Sequence, residues 1–353
     1  MRFALQFEPP QGIAWKEQVE FVERAEAAGF ETLYRSDHYG SIPGAEGGPT
    51  TDAWTAIAGA VNVATKLRQG TLVSPVTFRH PGNIAKVVAT VDEMSGGRVE
   101  LGLGAGWHAV EHHRHGLHYP DLETRLQMLE EQLQVVAGLW AGEPGWSFEG
   151  GHYQVRDARY APIPIQRPRP PLIVGTQGKP RAIRMAARYA DHLNLYYCTP
   201  DMARTAFERL DRECRAIGRH PAEVTRSVLL GTVVGKDRQE YVRRRAEVVE
   251  AFKYERSAED WQREHGSLWI TGLLDDARQA VAAFADAGVG MVIFQDFLPG
   301  DLQMVDLLGA LATEWRDPPI PIQDGRDSGP RSLDAPERRP TDERIDVASP
   351  ELG

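Results

Sequence analysis

The sequence predicts an α/β fold, a parallel (β/α)8 barrel of the TIM type, and three observations carry that expectation. Short apolar, β-rich runs alternate with amphipathic helical patterns along the chain. About eight such alternations occur without a run of consecutive hairpins, as a parallel sheet closed on itself requires. The rival open dinucleotide-binding sheet wants G-x-G-x-x-G in its first strand–helix turn, and that turn here reads FEPPQG.

The elements follow in order. RFALQF (2–7) is the first strand, and in the helix after it Val19, Val22, Ala25 and Ala28 form one stripe before Gly29 supplies a stop. ETLYRS (31–36) precedes a helix near 52–65, with Asp52 as its N-cap. GTLVS (70–74) leads into NIAKVVATVDEM, and RVELGLG (98–104) into a long helix around 122–140. The stretch 142–170 interrupts the alternation after strand four. Its Gly150-Gly151 pair between aromatic residues predicts a small hairpin or loop insertion beside the barrel mouth. PLIVG (171–175), HLNLYY (192–197), RSVLLGTVVG (226–235) and VGMVIFQ (289–295) complete the strands. From Asp317 the chain has no aromatic residue and is dense in proline and mixed charge, so it cannot bury enough surface to offset its ordering entropy. The expected organisation is a barrel domain over 1–316 and a disordered tail over 317–353.

The formal net charge of −10 over 353 residues argues against a nucleic-acid partner, which needs a basic face. Cys198 and Cys214 are the only cysteines, too few for a disulfide framework, and point to a reducing compartment. No signal-peptide pattern opens the chain, and no apolar run approaches the ~18 residues of a membrane span. A cytoplasmic, membrane-free protein acting on a small molecule is expected.

In such a barrel, function gathers where strands run out into loops. Those positions hold Glu8, Asp37-His38, Ser74, Gly104 to His108, Gly175-Thr176-Gln177-Gly178 and Tyr197-Cys198. The turn VGTQGKPRAIRMA sets glycines directly before a helix, where free N–H groups and the helix dipole suit an anion, with Lys179, Arg181 and Arg184 nearby. His38 beside a carboxylate can exchange a proton near neutral pH. Glycines after strand four let something flat approach the backbone, with Trp107 as a wall.

Together these residues resemble the bacterial luciferase-like monooxygenase superfamily, in its deazaflavin (coenzyme F420)-dependent oxidoreductase branch. The likeness covers about 1–316. It rests on SDH after strand two, on GTLVSPVTFRHPGNIAKVVATVDEMSGGRVELGLGAGWHAVE, and on RPRPPLIVG with RAIRMAARYADHLNL. It implies a flavin-like ring in the mouth, with a β-bulge and a non-proline cis peptide within Thr71-Leu72-Val73, placed at Thr71–Leu72, behind the ring. It further implies that Asp37 and His38 lie near the ring and handle protons, that Ala105, Gly106 and Trp107 line the cofactor groove, that Gly175, Thr176, Gln177 and Gly178 bind phosphate, and that the protein is a homodimer. One departure matters. Sugar-phosphate dehydrogenases of this branch carry a proton-donating glutamate where this sequence has Trp107, which argues against that activity.

The expectation is therefore an F420-dependent oxidoreductase transferring hydride between the cofactor and an enone, imine, carbonyl or alcohol. The alternative is an FMN-dependent monooxygenase using reduced FMN and oxygen. Two readings come from other classes. His108-Ala109-Val110-Glu111-His112 spells the H-x-x-E-H of some zinc hydrolases, which needs one helix presenting both histidines and a third ligand downstream; that confirming context is lacking, and Trp107 followed by Glu111 fits the barrel family without metal. The last reading is a cofactor-free binding barrel.

Overall fold

The computed structural model describes residues 1–8, 12–40 and 48–315. The proposed tail 317–353 and the middle of the loop after the second strand lie outside the described residues. In chain order, β1 (Arg2–Phe7), α1 (Trp15–Ala27), β2 (Thr32–Arg35), α2 (Ala53–Ala60), β3 (Arg68–Pro75), α3 (Pro81–Ser95) and β4 (Val99–Gly104) form the first half. Next come α4 (Ala109–Arg114), α5 (Leu122–Ala141) and the hairpin strands β5 (Trp146–Glu149) and β6 (Gln154–Ala158). The second half holds β7 (Leu172–Thr176), α6 (Pro180–Tyr189), β8 (His192–Tyr196), α7 (Pro200–Ala216) and β9 (Thr225–Gly235). It ends with α8 (Arg238–Ala251), α9 (Ala258–His265), β10 (Trp269–Leu273), α10 (Leu274–Asp286), β11 (Met291–Asp296) and α11 (Leu302–Glu314).

Eight parallel strands close the barrel in the order β11-β1-β2-β3-β4-β7-β8-β9, with β9 pairing back to β11. The strand period of two explains the filling. Ala4, Tyr34, Leu72, Ile173, Leu229, Met291 and Ile293 meet inside the cylinder, while residues of opposite parity face the helices. Several polar groups among the strands are paired. The Tyr34 hydroxyl donates to Glu100 at 2.5 Å, and Arg68 Nε donates to the same carboxylate at 2.7 Å. Asn194 donates to Ser227 Oγ at 2.8 Å, leaving that hydroxyl to donate to His192 Nε2 at 2.5 Å. Burial pushes His192 down to about 4, so its ring stays neutral.

The helices start where the sequence provides a cap. Asp52 accepts from Thr55 N–H at the head of α2, and α3 opens on Pro81 and closes on Gly96 at φ +69°. In α1 the buried face is Gln18, Phe21, Val22 and Ala25, rotated from the expected stripe because Phe21 buries most area.

Two features differ from expectation. β10 adds a ninth strand outside the cylinder, pairing with Gly231–Gly235 of β9, while β11 pairs with Ser227–Gly231. The 142–170 insertion does form a hairpin, yet most of it lies away from the mouth. Glu131 of α5 accepts the backbone N–H groups of Gly151, His152 and Tyr153 and pins the tip to the helix. Tyr153 packs edge-on against His80 at the head of α3. The return leg runs to the opposite end, where Gln166 bonds Asp92, the Val99 carbonyl and Arg68.

Candidate active site

β2 delivers Asp37 and His38 to the rim, and the two side chains do different things. Asp37 is buried and fully engaged. Ser74 Oγ donates to its Oδ2 at 2.6 Å, and Arg79 donates to Oδ2 at 2.5 Å and to Oδ1 at 3.3 Å. Arg79 also binds Asp52, and Trp54 Nε1 donates to Ser74 Oγ at 3.2 Å. Both oxygens of Asp37, the expected proton handler, thus already accept charge-assisted bonds from Arg79. Arg79 and Trp54 went unread in the sequence; only their position just past a strand, or in the following helix, marked them.

His38 is engaged on one side only. Its Nδ1 faces Glu111, at 3.0 Å from Oε1 and 3.2 Å from Oε2, and no described group bonds Nε2. Burial alone would lower its pKa. The hydrogen bond and charge of Glu111, with the charges of Glu8 and Asp37, outweigh that and raise it above the usual imidazole value. Trp107 is 60% exposed and stands edge-on to the His38 ring, with centroids 5.7 Å apart.

The H-x-x-E-H segment forms α4, with His108 at its N-cap position. Glu111 and His112 point inward, while His113, His115 and His118 are exposed. His112 Nδ1 donates to the His108 carbonyl at 2.8 Å and Nε2 accepts from Thr77 Oγ1 at 2.6 Å. Among the described residues, no group of three or more His, Cys, Asp or Glu side chains gathers to hold a metal.

The ladder between β3 and β4 breaks its register between Thr71 and Ser74. The cis peptide is Leu72–Val73, one residue later than expected. The reason is local: Thr71 still pairs with Leu101 in the ladder, so the irregular bond falls between the two unpaired residues. Of the three expected cofactor residues, Thr71 and Leu72 are buried, and only Val73 is partly exposed. Val73 sits over three bare α-carbons. A Cβ on Gly102, Gly104 or Gly175 would stand 2.9, 2.6 or 3.1 Å from its methyl carbons. A side chain at Gly175 would therefore press on Val73. Ala105 and Gly106 follow, the latter at φ +78° with Pro75 behind it.

At the head of α6, Thr176 Oγ1 accepts from Lys179 N–H at 3.1 Å, and Gly178 takes φ +83°. The Gln177 and Gly178 amides have no acceptor among the described residues. Arg181 does not serve an anion here: it pairs with Glu123 and Glu130 of α5. Arg184 lies a turn further along the exposed side, which leaves Lys179 as the cation at the helix head.

On the neighbouring strand end, past β1, Glu8 Oε1 accepts from Gln6 Nε2 at 2.7 Å and Gln295 Nε2 at 2.6 Å. The Tyr197 hydroxyl donates to Gln295 Oε1 at 2.8 Å. Tyr197 stacks on Trp269, which fills the space left by Gly231. Gln295 closes the last strand, where the barrel rule could have found it; Trp269 lies on the strand that the sequence reading missed.

Fold and rim together define a (β/α)8 barrel whose reactive groups gather at the C-terminal ends of its strands. The luciferase-like monooxygenase family model matches residues 2–291, and the chain belongs to that family of oxidoreductases. Over 178 residues the chain is 38% identical to an F420-dependent glucose-6-phosphate dehydrogenase of Microbacterium testaceum, covering 50% of this chain and 51% of that protein. It is 32% identical over 178 residues to the pyrimidine monooxygenase RutA of Stutzerimonas stutzeri, covering 48% of this chain and 47% of that one. The chain thus spans about half the length of these curated relatives. The solved structure of an F420-dependent secondary alcohol dehydrogenase with an F420–acetone adduct superposes with a TM-score of 0.74 at 21% identity, covering 90% of this chain and 99% of the other. That likeness speaks to the fold. Among the described residues, no helix is long and apolar enough to cross a membrane.

Proposed function

We propose that this protein is an F420-dependent oxidoreductase that transfers hydride between the deazaflavin and a small uncharged carbonyl compound, imine or alcohol. The observation that carries this reading is His38, bonded to Glu111 through Nδ1 with no described group on Nε2, beside Val73 packed over Gly104 and Gly175. The bare α-carbons of Gly102, Gly104 and Gly175 let Val73 pack down on them, so that Val73 would be the surface on which a flat ring rests. Val73, Ala105 and Gly106 would lie against the ring, and the Gln177 and Gly178 amides with Lys179 would meet its phosphate. When bound, the deazaflavin supplies or accepts hydride at C5. The protein's own part is to hold the substrate oxygen at His38 Nε2, which gives it a proton on reduction and takes one on oxidation.

An uncharged substrate follows from the cations around the first half of the mouth. Arg79 is held by Asp37 and Asp52, and Arg35 by Gln18 and Thr51. Residues 9–11 and 41–47 contain no lysine or arginine.

The relationship to the pyrimidine monooxygenase favours the second reading, an FMN-dependent monooxygenase using reduced FMN and oxygen. Fluorescence titration of the purified protein with F420 and with FMN separates the two. F420 quenching with weak FMN binding is expected; tight FMN binding without an F420 response overturns the proposal. The homodimer implied by the family belongs to the same proposal, and sedimentation analysis tests it.

A further inference from the structure

We propose that Glu111 is the positioning residue for His38, the carboxylate that fixes which ring nitrogen faces the mouth. This rests on His38 being the proton-exchanging group above, although its geometry stands without any ligand. Glu111 comes from α4, 73 residues along the chain from His38. Its side chain is 1% exposed, so its oxygens must find donors inside the protein. Three converge on it. Tyr39 N–H and Gly40 N–H donate to Oε2 at 2.6 and 2.9 Å, and His38 Nδ1 lies within reach of both oxygens.

The two backbone amides make the difference between an ion pair and a positioning device. They hold the carboxylate against the loop that carries His38, so ring and partner move as one unit. A carboxylate only accepts, so Nδ1 must be the donor. Neutral His38 then presents a bare Nε2 to the mouth, and protonated His38 presents Nε2–H. One ring can therefore take or give a proton at the same atom, which a reversible dehydrogenase needs. The bonds to Tyr39, Gly40 and His38 depress the Glu111 carboxyl despite burial, and the anion in turn strengthens proton binding at His38.

The rest of H-x-x-E-H falls into place. His112 ties α4 to the loop after β3 through Thr77, and His108 supplies the carbonyl that orients His112. The motif works as a clamp, with Glu111 gripping one loop and His112 the next.

The groups facing His38 are Glu111 and His108 of the α4 segment, Glu8 beyond β1, and Asp37 on its own loop. Of these, only Glu111 bonds the ring. The test is an imidazole 15N titration of the full-length protein without cofactor, with His38 assigned from His38→Gln. Wild type is expected to show neutral His38 as the Nδ1–H tautomer, with a midpoint above the ordinary ~6.5. Glu111→Gln should lower that midpoint by about one pH unit and shift the tautomer, and Glu111→Asp should recover part of it. Thr77→Val, which cuts the other arm of the clamp, should leave it within about 0.2 units. A wild-type ring found as Nε2–H overturns the proposal without any variant, as does a folded Glu111→Gln with an unmoved midpoint. Failure of wild type to bind F420 would sink the oxidoreductase reading and leave the nitrogen result intact.

Discussion

From β1 to β4 the mouth is held by charge: Asp37, Arg79 and Asp52 interlock around Ser74 and Trp54, and Glu111 binds His38 with two backbone amides. From β7 to β11 it offers unpaired amides at Gln177 and Gly178, bare glycine, and stacked Tyr197 and Trp269. The first side spends its polar atoms on itself, leaving one nitrogen exposed to do chemistry. The second side keeps polar atoms unspent and presents flat surfaces, which is what a binding wall needs. The contrast separates residues whose loss should stop turnover from those whose loss should weaken affinity.

The largest break expected is at His38. His38→Gln should lower kcat by roughly 100- to 10,000-fold in the F420-linked assay while leaving fluorescence-detected cofactor binding nearly intact. Equal loss of both would mean that His38 belongs to the binding wall. Asp37→Asn comes next and should act mainly on stability. It removes one anion from Arg79, which keeps Asp52, so a loss of about 2 kcal/mol in denaturant unfolding is expected, smaller than for orphaning a buried charge outright. On the other side, Gly175→Ala should push Val73 and weaken cofactor binding about tenfold, equal to about 1.4 kcal/mol, with kcat little changed.

The test that should leave turnover least changed concerns an uncompensated group at the end of β11. Asp296 is fully buried, accepts only the Leu298 amide, and has one oxygen without a partner. Burial raises its carboxyl to about 7, whereas an unfolded aspartate titrates near ~3.9. Between those values the unfolded chain has released a proton that the native chain keeps. Native stability is therefore lost as pH rises from about 4 to about 7, and stays lowered above that. Asp296→Asn should raise the melting temperature more at pH 8 than at pH 5, by the equivalent of about 2 to 3 kcal/mol. An identical gain at both pH values would show that the carboxyl titrates normally.

Much of this was legible in advance. Eight strands of the cylinder, the Asp52 cap and the glycine turn before α6 could be read because each rests on local chemistry: period, capping, punctuation. β10 could not, since WITGL is five residues whose only strand partner is the far part of β9. The His38–Glu111 bond was invisible for a related reason, because its halves come from different loops and only the closed barrel brings them together. The H-x-x-E-H spacing invited a metal reading for residues that grip neighbouring loops. Asp37 shows the limit of reasoning by residue type. Beside a histidine it is a candidate for proton handling, and only the closed fold brings Arg79 and Ser74 onto its oxygens.

The length of β9 has an architectural consequence. Its pairing with β11 ends at Gly231, yet the strand runs on through 232–235 alongside β10, an overhang of roughly 13 Å at the usual rise per residue. One bank of the opening is thus extended backbone backed by the stacked rings of Tyr197 and Trp269.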